Sequence, residues 1–189
     1  MTHEDPRIED IDHVLNILDF KPILFFIPHG SSLLDVGCGK CTWLAFLRKH
    51  RPDVEAIGVD INPDYVRVCR EKGFKAYVMD AMNLGFEPES FDIVTCFHTL
   101  EHLEDDRKAL LDMVRIARER VILVLPRRPV RMEQIEEYMK HHYIPFYTPL
   151  ALKRLLKGLK IIYLGEHYKP TGIAESWLVV IDAEDSRSS

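Results

Sequence analysis

Apolar positions along this chain follow two periods. Ile8, Ile11, Val14, Leu15 and Leu18 recur every three or four residues, which predicts an amphipathic helix over residues 7–19. Residues 20–30 lead from it into a different regime of short continuous runs. Leu33, Leu34 and Val36 predict a buried strand over 32–36, which stops at Gly37-Cys38-Gly39. Trp43, Leu44 and Leu47 then return at helical spacing and end before Pro52. The unit repeats with a strand over Val54–Asp60 and a helix that opens on Asn62-Pro63 and closes at Gly73. Asn62 suits the N-cap and Pro63 the first helical position. Strands follow over Phe74–Met79, stopping at Asp80, and over Phe91–Phe97. A helix over 104–118 carries Leu110, Leu111, Val114 and Ile116 inward, and Arg120–Leu125 is apolar enough to lie mid-sheet.

Residues 127–147 break this rhythm, and Thr148-Pro149 then caps a further helix closed by Gly158. Two final strands, over 160–165 and 176–182, have too short a connection for a crossover helix and are expected to pair antiparallel. The alternation predicts an α/β fold: a doubly wound, Rossmann-like, mostly parallel seven-stranded sheet with an antiparallel last strand and helices on both faces. Residues 1–30 read as an N-terminal helix and lead-in able to serve as a lid, 31–183 as the domain, and 184–189 as a disordered tail.

Composition narrows the classes. With 189 residues, 47% hydrophobic and 29% charged, the chain is of ordinary globular type and one domain is expected. A formal net charge of −5 disfavours a general nucleic-acid surface. The acidic start Met1–Pro6 lacks the order of a secretion signal, and Leu24–Ile27 is too tightly bracketed by Pro22 and Pro28 to span a membrane. A cytoplasmic protein without membrane association is expected. Cys38, Cys41, Cys69 and Cys96 form no closely spaced framework, so reduced thiols are expected.

Ligands of doubly wound sheets bind beyond the carboxyl ends of the strands. The residues there are Gly37-Cys38-Gly39, Asp60, Asp80-Ala81-Met82, Phe97-His98 and Pro126-Arg127. Glycines let a ligand approach the main chain, and a turn into a helix brings backbone N–H groups to it. Asp60 follows Gly39 by 60 − 39 = 21 residues, the spacing at which a carboxylate accepts from both hydroxyls of a ribose. Any one of these acids alone reads as a turn or cap residue. Their common register carries the argument.

Together, Leu33-Leu-Asp-Val-Gly-Cys-Gly39, Gly58-Val-Asp60, Met79-Asp-Ala81 and Phe91-Asp-Ile-Val with Leu100-Glu-His-Leu103 resemble a class I S-adenosylmethionine-dependent methyltransferase over residues 31–126. The resemblance implies S-adenosyl-L-methionine as cofactor. Asp35, Gly37, Cys38 and Gly39 would shape the pocket for its methionine part, Asp60 would hold the ribose, and Ile61 would pack on the adenine. Asp80 would meet the adenine amino group beside Ala81 and Met82, and Phe97 and His98 would face the reactive side. Cys41 stands where many members carry a third glycine. The implied activity is methyl transfer to a small-molecule acceptor, whose identity and oligomeric context stay open. The alternative is a degenerate methyltransferase-like binding or regulatory subunit. A nicotinamide-dependent oxidoreductase would want a glycine at position 41 and pyrophosphate contacts.

His98, Glu101 and His102 follow the fourth strand, where a general base would stand, and His98 is the catalytic candidate. Glu101 and His102 with His141 or His142 offer metal ligands, but their spacing does not fit the family's small-RNA 3′-end enzymes, and no metal is expected. Cys38-Gly-Lys-Cys41 has the form of a redox pair, yet nothing downstream resembles the rest of a thioredoxin domain. Arg127 and Arg128, with Arg131, point to an anionic acceptor. The Tyr138–Tyr147 segment, with Tyr143, Phe146 and Tyr147, is expected to form a lid with the N-terminal helix.

Overall fold

The computed structural model describes residues 19–127, 146–168 and 174–188, and within them the βα alternation forms one seven-stranded sheet. Its strands are β1 (Ser32–Val36), β2 (Glu55–Asp60), β3 (Lys75–Val78), β4 (Phe91–Phe97), β5 (Ala117–Pro126), β6 (Lys160–Tyr168) and β7 (Ala174–Asp182), in the order β3-β2-β1-β4-β5-β7-β6. The helices are α1 (Lys21–Leu24), α2 (Thr42–His50), α3 (Pro63–Glu71), α4 (Asp106–Ile116), α5 (Pro149–Leu155) and α6 (Ala183–Arg187), with a 3-10 turn at Leu100–His102. Strands β3 to β5 pair in parallel through β2, β1 and β4. Strand β7 inserts antiparallel between β5 and β6, as the short final connection requires.

Alternate residues of each buried strand point to opposite faces. Leu34, Val36, Val94, Cys96, Val121, Leu123 and Leu125 pack one core with α4 and α5. Leu33, Ile93, Ile122 and Val124 pack the other with α1, α2 and α3. That double covering explains why β5 reads as an unbroken apolar run, fully buried from Val121 to Leu125. The helix starts are fixed locally. Asn62 Oδ1 accepts from Asp64 N at 2.9 Å, Asp105 Oδ1 from Lys108 N at 2.9 Å, and Thr148 Oγ1 from Ala151 N at 3.2 Å.

The register matters for the site. Val36 lies opposite Val59 in β2 and Cys96 in β4, so the carboxyl ends of three neighbouring strands finish level. The order reverses between β1 and β4, the switch point at which such sheets open a crevice.

Several expectations are corrected. Residues 184–187 are helical rather than disordered, because Asp182 caps α6 and Arg187 reaches back to the α4–β5 corner. The Arg187 guanidinium donates to Val114 O at 3.1 Å, to Arg118 O at 3.3 Å and to Ala117 O, and pairs with Glu89 at 2.9 Å. Leu111, expected inward, is 45% exposed on α4. Tyr147 is a core residue and not part of a lid: it is fully buried, its N–H donates to Pro126 O at 2.7 Å, and its hydroxyl donates to Asp106 at 3.1 Å. The lead-in to β1 contains α1, started by Pro22. Residues 7–18 of the helix predicted over 7–19, Arg128, Arg131 and the Tyr138–Tyr143 segment lie outside the described residues. No helix among the described residues is long and apolar enough to cross a membrane.

Candidate functional site

The turn after β1 is held by its neighbours. Gly37 N and Cys38 N both donate to Val59 O, at 2.8 and 3.0 Å, Gly39 N donates to Asp60 Oδ2 at 2.8 Å, and Cys41 N donates to Cys38 O at 2.9 Å. These amides are therefore satisfied within the protein, against the expectation that the loop offers its N–H groups to a ligand. A pyrophosphate needs free donors, so the geometry stands against a dinucleotide. Gly37 (φ +73°) is required on two counts: its backbone is left-handed, and a Cβ there would overlap the Thr99 side chain. Gly39 (φ +51°) differs, since a Cβ there would meet none of the described residues within 4 Å. Among the described residues the space above it is open, as a site for a ligand lying on the loop demands.

Asp60 closes β2 and organises two turns, its Oδ2 bound to Gly39 N and its Oδ1 accepting from Asn62 N at 2.9 Å. Each oxygen keeps a second lone pair for a ligand hydroxyl. Burial pushes its carboxyl up, while these two amides pull it down by less. Ile61 beside it is 67% exposed, an apolar surface suited to a flat ring. Asp80 Oδ1 accepts from Met82 N at 2.8 Å, which shapes the turn that buries Ala81 and partly buries Met82.

Below the loop, Asp35 is buried and accepts from Thr95 Oγ1 at 2.8 Å, and Trp43 Nε1 donates to that same hydroxyl at 3.3 Å. Burial raises the Asp35 carboxyl to about 7; Thr95 opposes the rise and the nearby Asp60 adds to it. Cys38 points inward under Gly58, where a Cβ would lie 2.7 Å from Cys38 Sγ. Cys38 thus shapes the loop from beneath rather than meeting a ligand directly. Gly58 of the Gly-Val-Asp segment exists for this close approach.

At the end of β4, His98 adopts a left-handed backbone (φ +50°), a conformation that costs a non-glycine residue roughly 1–2 kcal/mol. Its N–H donates to Val124 O at 2.9 Å, and both ring nitrogens are engaged. Nδ1 lies 3.3 Å from Glu101 Oε1 and Nε2 lies 3.2 Å from Ser176 Oγ. Glu101 is fully buried, and its other oxygen, Oε2, has no hydrogen-bond partner among the described residues. Burial pushes the Glu101 carboxyl up, but the hydrogen bond and charge of His98, with the charge of His102, carry it below its ordinary value. In the neutral ring with its proton on Nδ1, facing Glu101, Nε2 is the acceptor and the Ser176 hydroxyl donates to it. The buried His167 completes the cluster; burial and the nearby His98 push it down, against the pull of Asp19.

Two expected site residues sit elsewhere. Phe97 is buried in an aromatic group with Phe20 and Trp43, at 6.2 and 5.2 Å between ring centres, and so belongs to the core. Arg127 pairs with Glu166 at 2.5 Å and lies 5.0 Å over the Trp177 ring, which removes it as a free anion receptor. Two residues escaped sequence reasoning. Ser176 reaches His98 across 78 positions, because β7 pairs with β5. Cys69 forms a disulfide with Cys41, against the expected reduced thiols, because α3 packs on the loop. No local signal marked either residue.

Residues 34–125 match the family model described as a methyltransferase domain. The chain is 33% identical over 95 residues to tRNA (carboxymethyluridine(34)-5-O)-methyltransferase of Arabidopsis thaliana, covering 49% of this chain and 22% of that protein. It is 33% identical over 135 residues to demethylmenaquinone methyltransferase of Staphylococcus aureus strain JH9, covering 68% of this chain and 56% of that protein. The chain thus spans less than two thirds of either relative's length. A SAM-dependent methyltransferase from Aquifex aeolicus superposes with a TM-score of 0.71 at 19% identity, covering 94% of this chain and 98% of that one, which supports the fold.

Proposed function

We propose that this chain, which matches a methyltransferase-domain model over residues 34–125 and shares the fold of a SAM-dependent methyltransferase, transfers a methyl group to a small-molecule acceptor that loses a proton at His98. The observation that carries the catalytic reading is the hydrogen-bonded chain Ser176–His98–Glu101 at the end of β4, level with Gly39 and Asp60. A degenerate binding subunit has no need of a strained histidine held against a buried carboxylate.

The cofactor is assigned to the open space over Gly39, with Asp60 on the ribose hydroxyls, Ile61 under the adenine, Asp80 at its edge, and Asp35 toward the methionine end. When bound, S-adenosylmethionine supplies an electrophilic methyl on a sulfonium that departs as a neutral thioether. The chain's own contribution is alignment, exclusion of water and movement of one proton. Glu101 holds the imidazole tautomer through Nδ1–H. The acceptor's proton passes to Nε2 through the Ser176 hydroxyl that already donates to it, and Glu101 balances the imidazolium that forms.

A small acceptor is favoured over a nucleic acid because the chain carries a net charge of −5, whereas binding a polyanion rests on clustered cations. An anionic acceptor gains no support from Arg127, which Glu166 already neutralises. The proposal is tested by titrating S-adenosylhomocysteine calorimetrically into the wild type, Asp60→Ala and His98→Ala, and by assaying methyl transfer against a metabolite panel. Binding that falls at least tenfold in Asp60→Ala but persists in His98→Ala, with turnover lost in His98→Ala, is expected. Cofactor binding without turnover on any acceptor would favour the binding subunit.

A further inference from the structure

We propose that Cys41 and Cys69 form a reversible thiol–disulfide site that sets how firmly the cofactor loop is held, and therefore how tightly the cofactor binds. Three sulfur atoms, of Cys38, Cys41 and Cys69, lie within 4.8 Å of one another, and two of them are joined in the Cys41–Cys69 disulfide. Their Cα atoms stand 5.5 Å apart across a separation of 28 residues, a spacing at which a bridge forms without backbone movement.

The position of the bridge gives it a consequence. Cys41 precedes α2 in a left-handed conformation (φ +63°), and its side chain makes no capping hydrogen bond. Such a backbone is unfavourable for any residue but glycine and persists where its surroundings over-determine it. Cys69 lies on α3, the helix that follows Asp60. The loop is thus fastened to the β2–α3 unit by the Gly37 and Cys38 amides on Val59 O, by the hydrogen bond from Gly39 N to Asp60, by Lys72 Nζ on Lys40 O and, covalently, by the disulfide. Reduction removes the covalent fastening and leaves Cys41 free to leave the left-handed region. Gly39 N then loses its register with Asp60.

Cys38 does not scramble the bridge. Exchange needs a thiolate, and burial with the charges of Asp35 and Asp60 holds the Cys38 thiol well above its ordinary value. Oxidation proceeds with a low-molecular-weight disulfide as the two-electron acceptor. One cysteine thiolate attacks that disulfide, breaks its S–S bond and releases one small thiol. The second thiolate attacks the resulting mixed disulfide, closes Cys41–Cys69 and releases the other small thiol, and the two cysteine protons leave on those thiols. A small dithiol reverses both steps.

Cys41 and Cys69 are fully buried, so either reagent reaches them only when the loop opens. A ligand seated over Gly39 keeps it closed. Coupling of this kind is reciprocal: whatever factor oxidation adds to cofactor affinity, bound cofactor adds to the stability of the disulfide.

The inference rests on the assignment of the cofactor to this loop, and the test separates the two. The protein is equilibrated in mixtures of reduced and oxidised dithiothreitol, with and without S-adenosylhomocysteine. Its free thiols are alkylated and counted by mass, and the Cys41–Cys69 peptide is mapped. Calorimetry then measures S-adenosylhomocysteine binding to both forms and to Cys69→Ala. The expected results are about tenfold tighter binding by the oxidised form, an equal displacement of the half-oxidation point toward more reducing buffer by the ligand, and Cys69→Ala binding like the reduced wild type in both buffers. Equal affinity of the two wild-type forms, or no Cys41–Cys69 cross-link under oxidising conditions, overturns the redox site while the cofactor assignment stands. Absence of binding by either form overturns the cofactor assignment and this inference with it.

Discussion

Asp35 is the residue at which burial and the proposed ligand chemistry meet. Its folded-state carboxyl stands at about 7, against 3.8 in the unfolded chain. Between those values the folded protein keeps a proton that the unfolded chain has released, so stability falls as pH rises through the window and levels off above it. Asp35→Asn is expected to flatten that slope, as read from denaturation midpoints between pH 4.5 and 8. A cationic ammonium brought to Asp35 favours its charged form. Cofactor binding is therefore expected to release nearly one proton at pH 6 and almost none at pH 8, which calorimetry in two buffers of different ionisation enthalpy measures. Glu101 works in the opposite sense, its carboxyl held below the ordinary value by His98. Glu101→Gln is expected to lower kcat about a hundredfold while leaving S-adenosylhomocysteine affinity within twofold, because the amide no longer offsets the imidazolium.

At the level of elements, two short segments acquire meaning only from what crosses them. Strand β2 passes Gly58 over the Cys38 side chain, with Cys38 Cβ 2.8 Å from where a Gly58 Cβ would lie. Gly58→Ala is expected to cost about 1–3 kcal/mol, read as a lowered Tm, since the loop must shift to admit one methyl. The disulfide joining the loop to α3 closes a 28-residue separation. Chain entropy assigns such a closure about 3.5 kcal/mol, and reduction is expected to lower Tm by roughly 10 °C for a domain of this size. Helix α6 is short, yet Arg187 anchors it on Val114, Ala117 and Arg118 carbonyls and on Glu89. Arg187→Ala leaves those carbonyls without a charged donor, and a loss of about 1–3 kcal/mol in denaturant unfolding is expected.

For the whole molecule, the sheet order decides where chemistry is possible. Strand reversal between β1 and β4 opens the crevice, and insertion of β7 beside β5 carries Ser176 to His98 and Trp177 to Arg127. The Trp177 indole also donates to Tyr147 O at 2.8 Å, which ties Tyr147 to strand β7. Asp35 and Asp60 thus come from one half of the chain and the His98–Glu101–Ser176 group from the other, and they meet at the carboxyl ends of the central strands. A substitution that disturbs the β5–β7 pairing is expected to reduce turnover before it affects cofactor binding.

The sequence by itself determined the order of elements, the parallel sheet with its antiparallel closing pair, and the glycine–acid register of Gly39, Asp60 and Asp80. Those features are written in local periodicity and in spacings along single βα units, where neighbours in sequence are neighbours in space. Tertiary structure alone decided the partners. It gave Arg127 to Glu166, placed Phe97 and Tyr147 in the core, folded residues 184–187 into a helix, and turned the loop amides inward. It also joined Cys41 to Cys69 and Ser176 to His98. Each of these depends on which strands and helices pack together, and a pairing across 28 or 78 residues leaves no trace in the pattern around either member.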